Sequence, residues 1–112
     1  MMKFTIYFFQ WVWSGLLSEH EPVVTSDEKE CFAQLTELLT TEFGFRKPKR
    51  RENLDSYLAA FHDFEYRYRN EFSSISKKER KANIADERLW NTEDNELNFH
   101  KCEVAVNLPA GA

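Results

Sequence analysis

The chain has 112 residues, 42% of them apolar and 30% charged, and a net charge of -4. That is long enough to bury one core without disulfides or metals as staples, and too apolar for a disordered tail. Ten Phe, four Tyr and three Trp against three Gly and three Pro describe a core of large rings, each able to bury roughly 150–250 Å², with rings to spare for an interface.

The run FTIYFFQWVWSGLL follows Met1, Met2 and Lys3. It lacks the small-residue cleavage site of an exported leader, contains Gln10, and at fourteen residues falls short of the roughly 20 that a membrane span needs. Residues 1–17 are therefore expected to form a strand, with Phe4, Ile6 and Phe8 alternating against Thr5, Tyr7 and Phe9. Apolar residues on both faces place it centrally in a sheet. A cytoplasmic protein is expected, with Cys31 and Cys102 as reduced, buried thiols.

SEHEPVV is read as a polar turn around Pro22. Thr25 stands three residues before Glu28, the capping-box spacing. Phe32, Leu35, Leu38, Leu39 and Phe43 then recur at helical spacing, which predicts a helix over 26–43 that ends at a left-handed Gly44. RKPKRR follows, with five cations in the six positions from Arg46 to Arg51. Leu54, Tyr57, Leu58 and Phe61 predict a second helix over 50–61.

From 62 to 72, Phe64, Tyr66 and Tyr68 alternate with Asp63, Glu65, Arg67 and Arg69. Ring enrichment favours a strand there, although Phe61, Phe64, Tyr68 and Phe72 also satisfy a helical period. Ser76 and Glu79 repeat the capping spacing before a third helix over 77–90, with Ala82, Ala85 and Leu89 on one side. NTEDNE at 91–96 is an acidic connection, and NFHKCEVAVNLP forms a final strand with His100, Cys102, Val104, Val106 and Leu108 on one face. The order strand, helix, helix, strand, helix, strand gives an α/β fold, a small single-domain layer over 1–112 with helices packed on a short sheet.

Charge is zoned along the chain. Residues 1–45 sum to -5, 46–51 to +5, 52–72 to -3, 73–90 to +2 and 91–112 to -3. Arg46, Lys47, Lys49, Arg50 and Arg51 suit phosphate contacts in a nucleic-acid-binding accessory protein, with Lys77, Lys78, Arg80 and Lys81 as a second patch. The simpler reading makes the basic knot a helix junction, where cations complement exposed carbonyls at the end of the first helix. GxSxG, P-loop, GxGxxG and HExxH motifs are absent, so no enzymatic activity is expected. His100 and Cys102 share a strand face, His20 and His62 stand alone, and no ligand spacing completes a site, so neither metal nor cofactor is expected.

ENLDSYLAAF, residues 52–61, resembles the second helix of barstar-like ribonuclease inhibitors, in which an E-N-L-D-x-hydrophobic pattern follows a helix and a short loop. The resemblance rests on Glu52, Asn53, Leu54 and Asp55 and on the order of elements. It implies a small immunity protein that occludes the cationic active site of a toxin, in that family a nuclease, with Asp55 matching an aspartate that contacts the enzyme. Ala59 stands where the family places a further acidic contact, and RKPKRR replaces the family's Gly- and Tyr-containing loop.

Electrostatics supports the same expectation, because a small acidic protein approaching a cationic cleft gains encounter rate and charge matching. The negative surface would come from Glu52, Asp55, Asp63, Glu65, Glu93, Asp94 and Glu96. Tyr57, Tyr66, Tyr68, Trp11, Trp13 and Trp90 are the candidate aromatic anchors. The leading expectation is thus a cytosolic inhibitor that forms a one-to-one complex with a cationic toxin, away from membranes. The alternative is nucleic-acid binding through the basic segment.

Overall fold

The computed structural model describes residues 2–13, 16–17, 21–90 and 95–106, and it is a mixed α/β chain. The acidic residues 91–94, His20 and the strand expected beyond Val106 lie outside the described residues. The chain divides into two compact units, and the division falls inside the first helix, between Gln34 and Leu35.

The first unit is an antiparallel sheet. Strand β1 (Met2–Trp13) lies in the middle of it, as its two apolar faces predicted. On one edge β1 pairs with β2 (Leu16–Leu17) and β3 (Val23–Thr25), and on the other with β4 (Asn95–Val106). The β1–β4 register runs unbroken from Met2↔Val106 to Trp13↔Asn95. Cross-strand partners point to one side of a sheet, so the two faces can be read directly from this register. Tyr7, Phe9 and Leu97 on one side are buried, and Phe9 stacks on Phe99 with ring centroids 6.1 Å apart. Met2, Phe4 and Val24 on the other side are exposed. The stretch expected as a turn around Pro22 therefore contributes a short strand, since Val23 and Val24 are β-branched and face Phe9 and Phe8.

Helix α1 is Glu28–Thr41. The expected box between Thr25 and Glu28 is shifted: the Asp27 carboxylate accepts the Lys29 and Glu30 amides, and Thr25 donates its hydroxyl to Glu30 at 3.2 Å. Cys31 is fully buried, and burial together with the Glu28 charge pushes its thiol up to about 11. Cys102 is exposed on β4, contrary to the expectation of two buried thiols, because it alternates onto the open side of the sheet with His100.

The second unit, Leu35–Glu93, holds a core of rings. The turn that follows α1 reaches Gly44, whose φ of +66° only glycine adopts freely, and a Cβ built there would stand 2.5 Å from the Asp86 carbonyl oxygen. Phe45, fully buried, sits within 5.3–6.3 Å of the rings of Tyr57, Phe61, Phe64 and Trp90.

Helix α2 is Leu54–Asn70, later in start and far longer than the predicted 50–61. Asn53 and Ser56 cap it reciprocally, each side chain accepting the other's backbone amide at 2.8–2.9 Å. The strand expected at 62–72 is overturned. Leu54, Tyr57, Phe61 and Phe64 are buried at spacings of three and four, so the helical period wins over alternation, and a 3₁₀ turn (Phe72–Ser74) follows.

The helix expected over 77–90 is broken in two. α3 (Lys77–Asn83) starts at Ser76, which accepts the Glu79 amide as its spacing predicted, and α4 is Glu87–Trp90. Between them Ile84 pairs with Phe45 in an antiparallel bridge. The break has a cause in hydrogen bonding: the Gly44 carbonyl accepts the amides of Ala85 and Asp86 and the indole N–H of Trp90 at 2.6–3.1 Å. Among the described residues no helix is long and apolar enough to cross a membrane.

Candidate functional site

The second unit carries the basic knot, and its five cations divide into two roles. Arg46 is committed to the fold. Its guanidinium grips Glu52 through both terminal nitrogens at 2.6 and 2.9 Å, donates Nε–H to Asn83 Oδ1 at 3.0 Å, and lies 5.0 Å from the Phe45 ring. The guanidinium hydrogen bonds hold the Glu52 carboxyl below its usual range, and Glu52 also accepts the Lys49 amide at 2.7 Å. Tyr57 is fully buried and donates its hydroxyl to the Arg46 carbonyl at 2.7 Å, with burial pushing the phenol up to about 12. The junction reading of the knot thus describes Arg46.

Lys47, Lys49, Arg50 and Arg51 are exposed, and their side chains make no hydrogen bond or ion pair among the described residues. Glu52 fixes the backbone that presents them, because its amide donates to the Lys49 carbonyl at 3.0 Å and closes the turn. The second basic segment, on α3, meets the first. Arg46 donates its amide to the Asn83 carbonyl at 2.9 Å beside the Phe45–Ile84 bridge, so the end of α3 is pinned to the start of the basic loop.

Lys77, Lys78 and Lys81 on α3 are exposed and likewise free of side-chain partners among the described residues. Arg80 places its guanidinium 4.8 Å from the Phe72 ring, and its buried Nε has no hydrogen-bond partner among the described residues. Lys77, Arg80 and Lys81 line an open cavity of about 330 Å³ with Ile84, Ala85 and Glu87.

Five of the eleven carboxylates of this unit, Glu52 included, lie against arginines among the described residues. Arg67 binds both oxygens of Glu79 and lies 3.8 Å from Asp63, Arg69 lies 3.8 Å from Glu65, and Arg88 holds Asp86 at 3.1 Å. These pairs occupy Arg46, Arg67, Arg69 and Arg88, and the side chains of Lys47, Lys49, Arg50, Arg51, Lys77, Lys78 and Lys81 make no ion pair among the described residues. Comparison of the chain with known families, with curated proteins and with solved structures finds no match.

The acidic docking set expected from the sequence is not assembled into one surface. Glu52 is paired, Tyr57 is buried, and Glu65 is half-buried beside Arg69. Asp55 is exposed in the first turn of α2, directly after the basic loop, and Asp63 is exposed beside Arg67. Glu96 is exposed on β4 in the other unit, while Glu93 and Asp94 lie outside the described residues. Of the aromatic anchors, Trp90 is buried, Trp11 and Tyr68 are half-buried, and Tyr66 is exposed; the side chain of Trp13 is outside the described residues. Sequence reading missed Phe45, Asn83 and the Gly44 carbonyl, which hold the two basic segments together. The signal available was FGF, rings on either side of a glycine immediately before the basic run.

Proposed function

We propose that the protein is a nucleic-acid-binding accessory protein that grips a single-stranded phosphate backbone with Lys47, Lys49, Arg50 and Arg51 of the loop and Lys77, Lys78 and Lys81 of α3. The observation that carries this is the Arg46–Asn83 pin: it joins two cationic segments distant in sequence, whose lysine side chains make no hydrogen bond or ion pair among the described residues. Phosphate contacts of this kind position a strand without reading sequence. Phe72, 47% exposed beside the Arg80 guanidinium, supplies a ring on which a base stacks, and this favours single strands over duplex.

The test is anisotropy of a labelled single-stranded oligonucleotide at two salt concentrations. Replacing Lys47, Lys49, Arg50 and Arg51 by Ser is expected to weaken binding at least tenfold at low salt and to flatten the logarithmic salt slope by about 3, at roughly 0.7 for each phosphate no longer neutralised. Phe72→Ala is expected to weaken binding at all salt concentrations. Equal affinity of wild type and loop variant, with unchanged circular dichroism, refutes the reading.

A second reading, occlusion of a cationic toxin by an immunity protein, is supported by the outward side of α2. Asp55, Ala59, Asp63 and Tyr66 follow one another at helical spacing, all exposed, and Asp55 is the residue marked by the barstar-like resemblance. It ranks second because the exposed Lys47, Lys49, Arg50 and Arg51 precede Asp55 in the chain and bring positive charge to the segment that leads into α2. Such a complex would be one-to-one and need no cofactor.

A further inference from the structure

We infer that the cavity beside α3 binds a phosphate monoester, the terminal phosphate of a nucleic-acid strand. This rests on the nucleic-acid reading above and adds to it a place where the strand ends. Lys77, Arg80 and Lys81 line the cavity with Ile84, Ala85 and Glu87, and its volume is about 330 Å³. That is the small end of the roughly 300–1,000 Å³ of small-molecule sites, a size that takes one nucleotide and not a length of strand. The three cations stand at spacings of three and four on α3 and so share one side of the helix. Like charges at such spacings destabilise a helix slightly, so local stability does not account for them. A bound anion reverses the sign of that interaction.

Arg80 lacks the partner that its setting calls for. It is half-buried, its side chain makes no hydrogen bond or ion pair among the described residues, and its buried Nε is unsatisfied. Arg46 and Arg67, also half-buried, each bind both oxygens of a glutamate. Glu79, beside Arg80 in the chain, is the glutamate taken by Arg67. Withdrawing a guanidinium from water without a counter-ion is costly, and an anion from outside supplies one. Three cations against the Glu87 carboxylate leave the lining at +2. A phosphate monoester carries about -1.5 to -2 at pH 7 and a diester within a strand a single charge, so the lining matches a strand end better than its interior.

The break between α3 and α4 pre-forms the cavity. Ile84 and Ala85 occupy that break, Ile84 bridging to Phe45 and Ala85 donating its amide to the Gly44 carbonyl at 2.6 Å, and Glu87 opens α4. Backbone held this way needs no ordering when a ligand enters, which favours affinity. The Arg80 guanidinium also lies 4.8 Å from the Phe72 ring, so one side chain links the cavity to the ring on which a base stacks.

The test titrates the full chain, at fixed salt, into one labelled single-stranded oligonucleotide in three forms: with a 5′-phosphate, with a 3′-phosphate, and with hydroxyls at both ends. One phosphorylated form is expected to bind at least tenfold tighter than the hydroxyl form, the scale of a charge-assisted contact. Arg80→Gln is expected to bring that ratio below about twofold with far-UV circular dichroism unchanged, and Arg80→Lys, which keeps the charge but loses the planar fork, to retain part of it. Adenosine 5′- or 3′-monophosphate, matching the preferred end, is expected to displace the phosphorylated strand at concentrations where adenosine does not, a readout that needs no variant. Equal binding of all three forms overturns this inference and leaves strand binding standing, whereas failure of the wild type to bind any form overturns both. An end preference that Arg80→Gln preserves in full overturns it as well, since the phosphate then sits elsewhere.

Discussion

Glu52 shows how little a residue's class says about its task. In the sequence it is an acid in an E-N-L-D motif and hence a docking contact; in the fold it is the anchor of Arg46, with its side chain 15% exposed. Hydrogen bonds from a guanidinium favour the ionised carboxyl, so its folded pKa lies below the ordinary 4.5. The unfolded chain then binds that proton more tightly than the folded one, and the stabilisation is complete above about 4.5 and disappears as pH falls through the folded value. Glu52→Gln is therefore expected to cost about 2 kcal/mol at pH 7 by urea unfolding and progressively less as the pH falls from 4.5 through the folded value, where the wild type loses the same interaction. A penalty independent of pH would show that the carboxylate charge is irrelevant. Gly44, by contrast, was legible: its place after a helical stripe called for a left-handed residue. Its carbonyl's three donors were not, since two backbone amides and a distant indole leave no pattern in sequence.

At the scale of elements, what was legible followed from period and length. α1 and the long strands were readable because each period is sustained over many residues; of the caps, Ser76 stands where its spacing put it, whereas Asp27 caps α1 in place of Thr25 and Asn53 caps α2 without having been noticed. The region 62–70 was not, because Phe64, Tyr66 and Tyr68 alternate while Phe61, Phe64 and Tyr68 also lie on one helical side. Burial of Leu54, Tyr57, Phe61 and Phe64 resolves it, and burial is a property of the packed core. β3 escaped notice because three residues carry no period. The basic site was half visible: the sequence located both cationic segments, but the contacts joining them are two residue pairs far apart in the chain, Phe45 with Ile84 and Arg46 with Asn83. The sign of one substitution reports the helix. Tyr66 is 61% exposed, and Tyr66→Ala is expected to leave stability unchanged or raise it by about 0.5 kcal/mol, because alanine is the better helix former. In a strand the same change would destabilise. Denaturant midpoints of the two proteins decide it.

Over the whole molecule, net charge conceals a partition. The unit Leu35–Glu93 holds twelve Lys and Arg against eleven Asp and Glu, and the rest of the chain three against eight. With five of those eleven acids lying against arginines and the basic loop exposed, the protein is expected to be retained at pH 7 and low salt by both an anion-exchange resin and immobilised heparin. Exchanging Lys47, Lys49, Arg50 and Arg51 for Ser should abolish heparin retention and strengthen anion exchange; loss of both together would mean that the variant has unfolded. The strand register has a further consequence, for biosynthesis. Phe9 pairs with Val23, fourteen positions on, but Met2 must wait for Val106, so a ring-rich strand has one edge unpaired until the residues of β4 have been made. A chain truncated before Asn95 is therefore expected to aggregate where the full chain stays monodisperse, as light scattering at equal concentration would show.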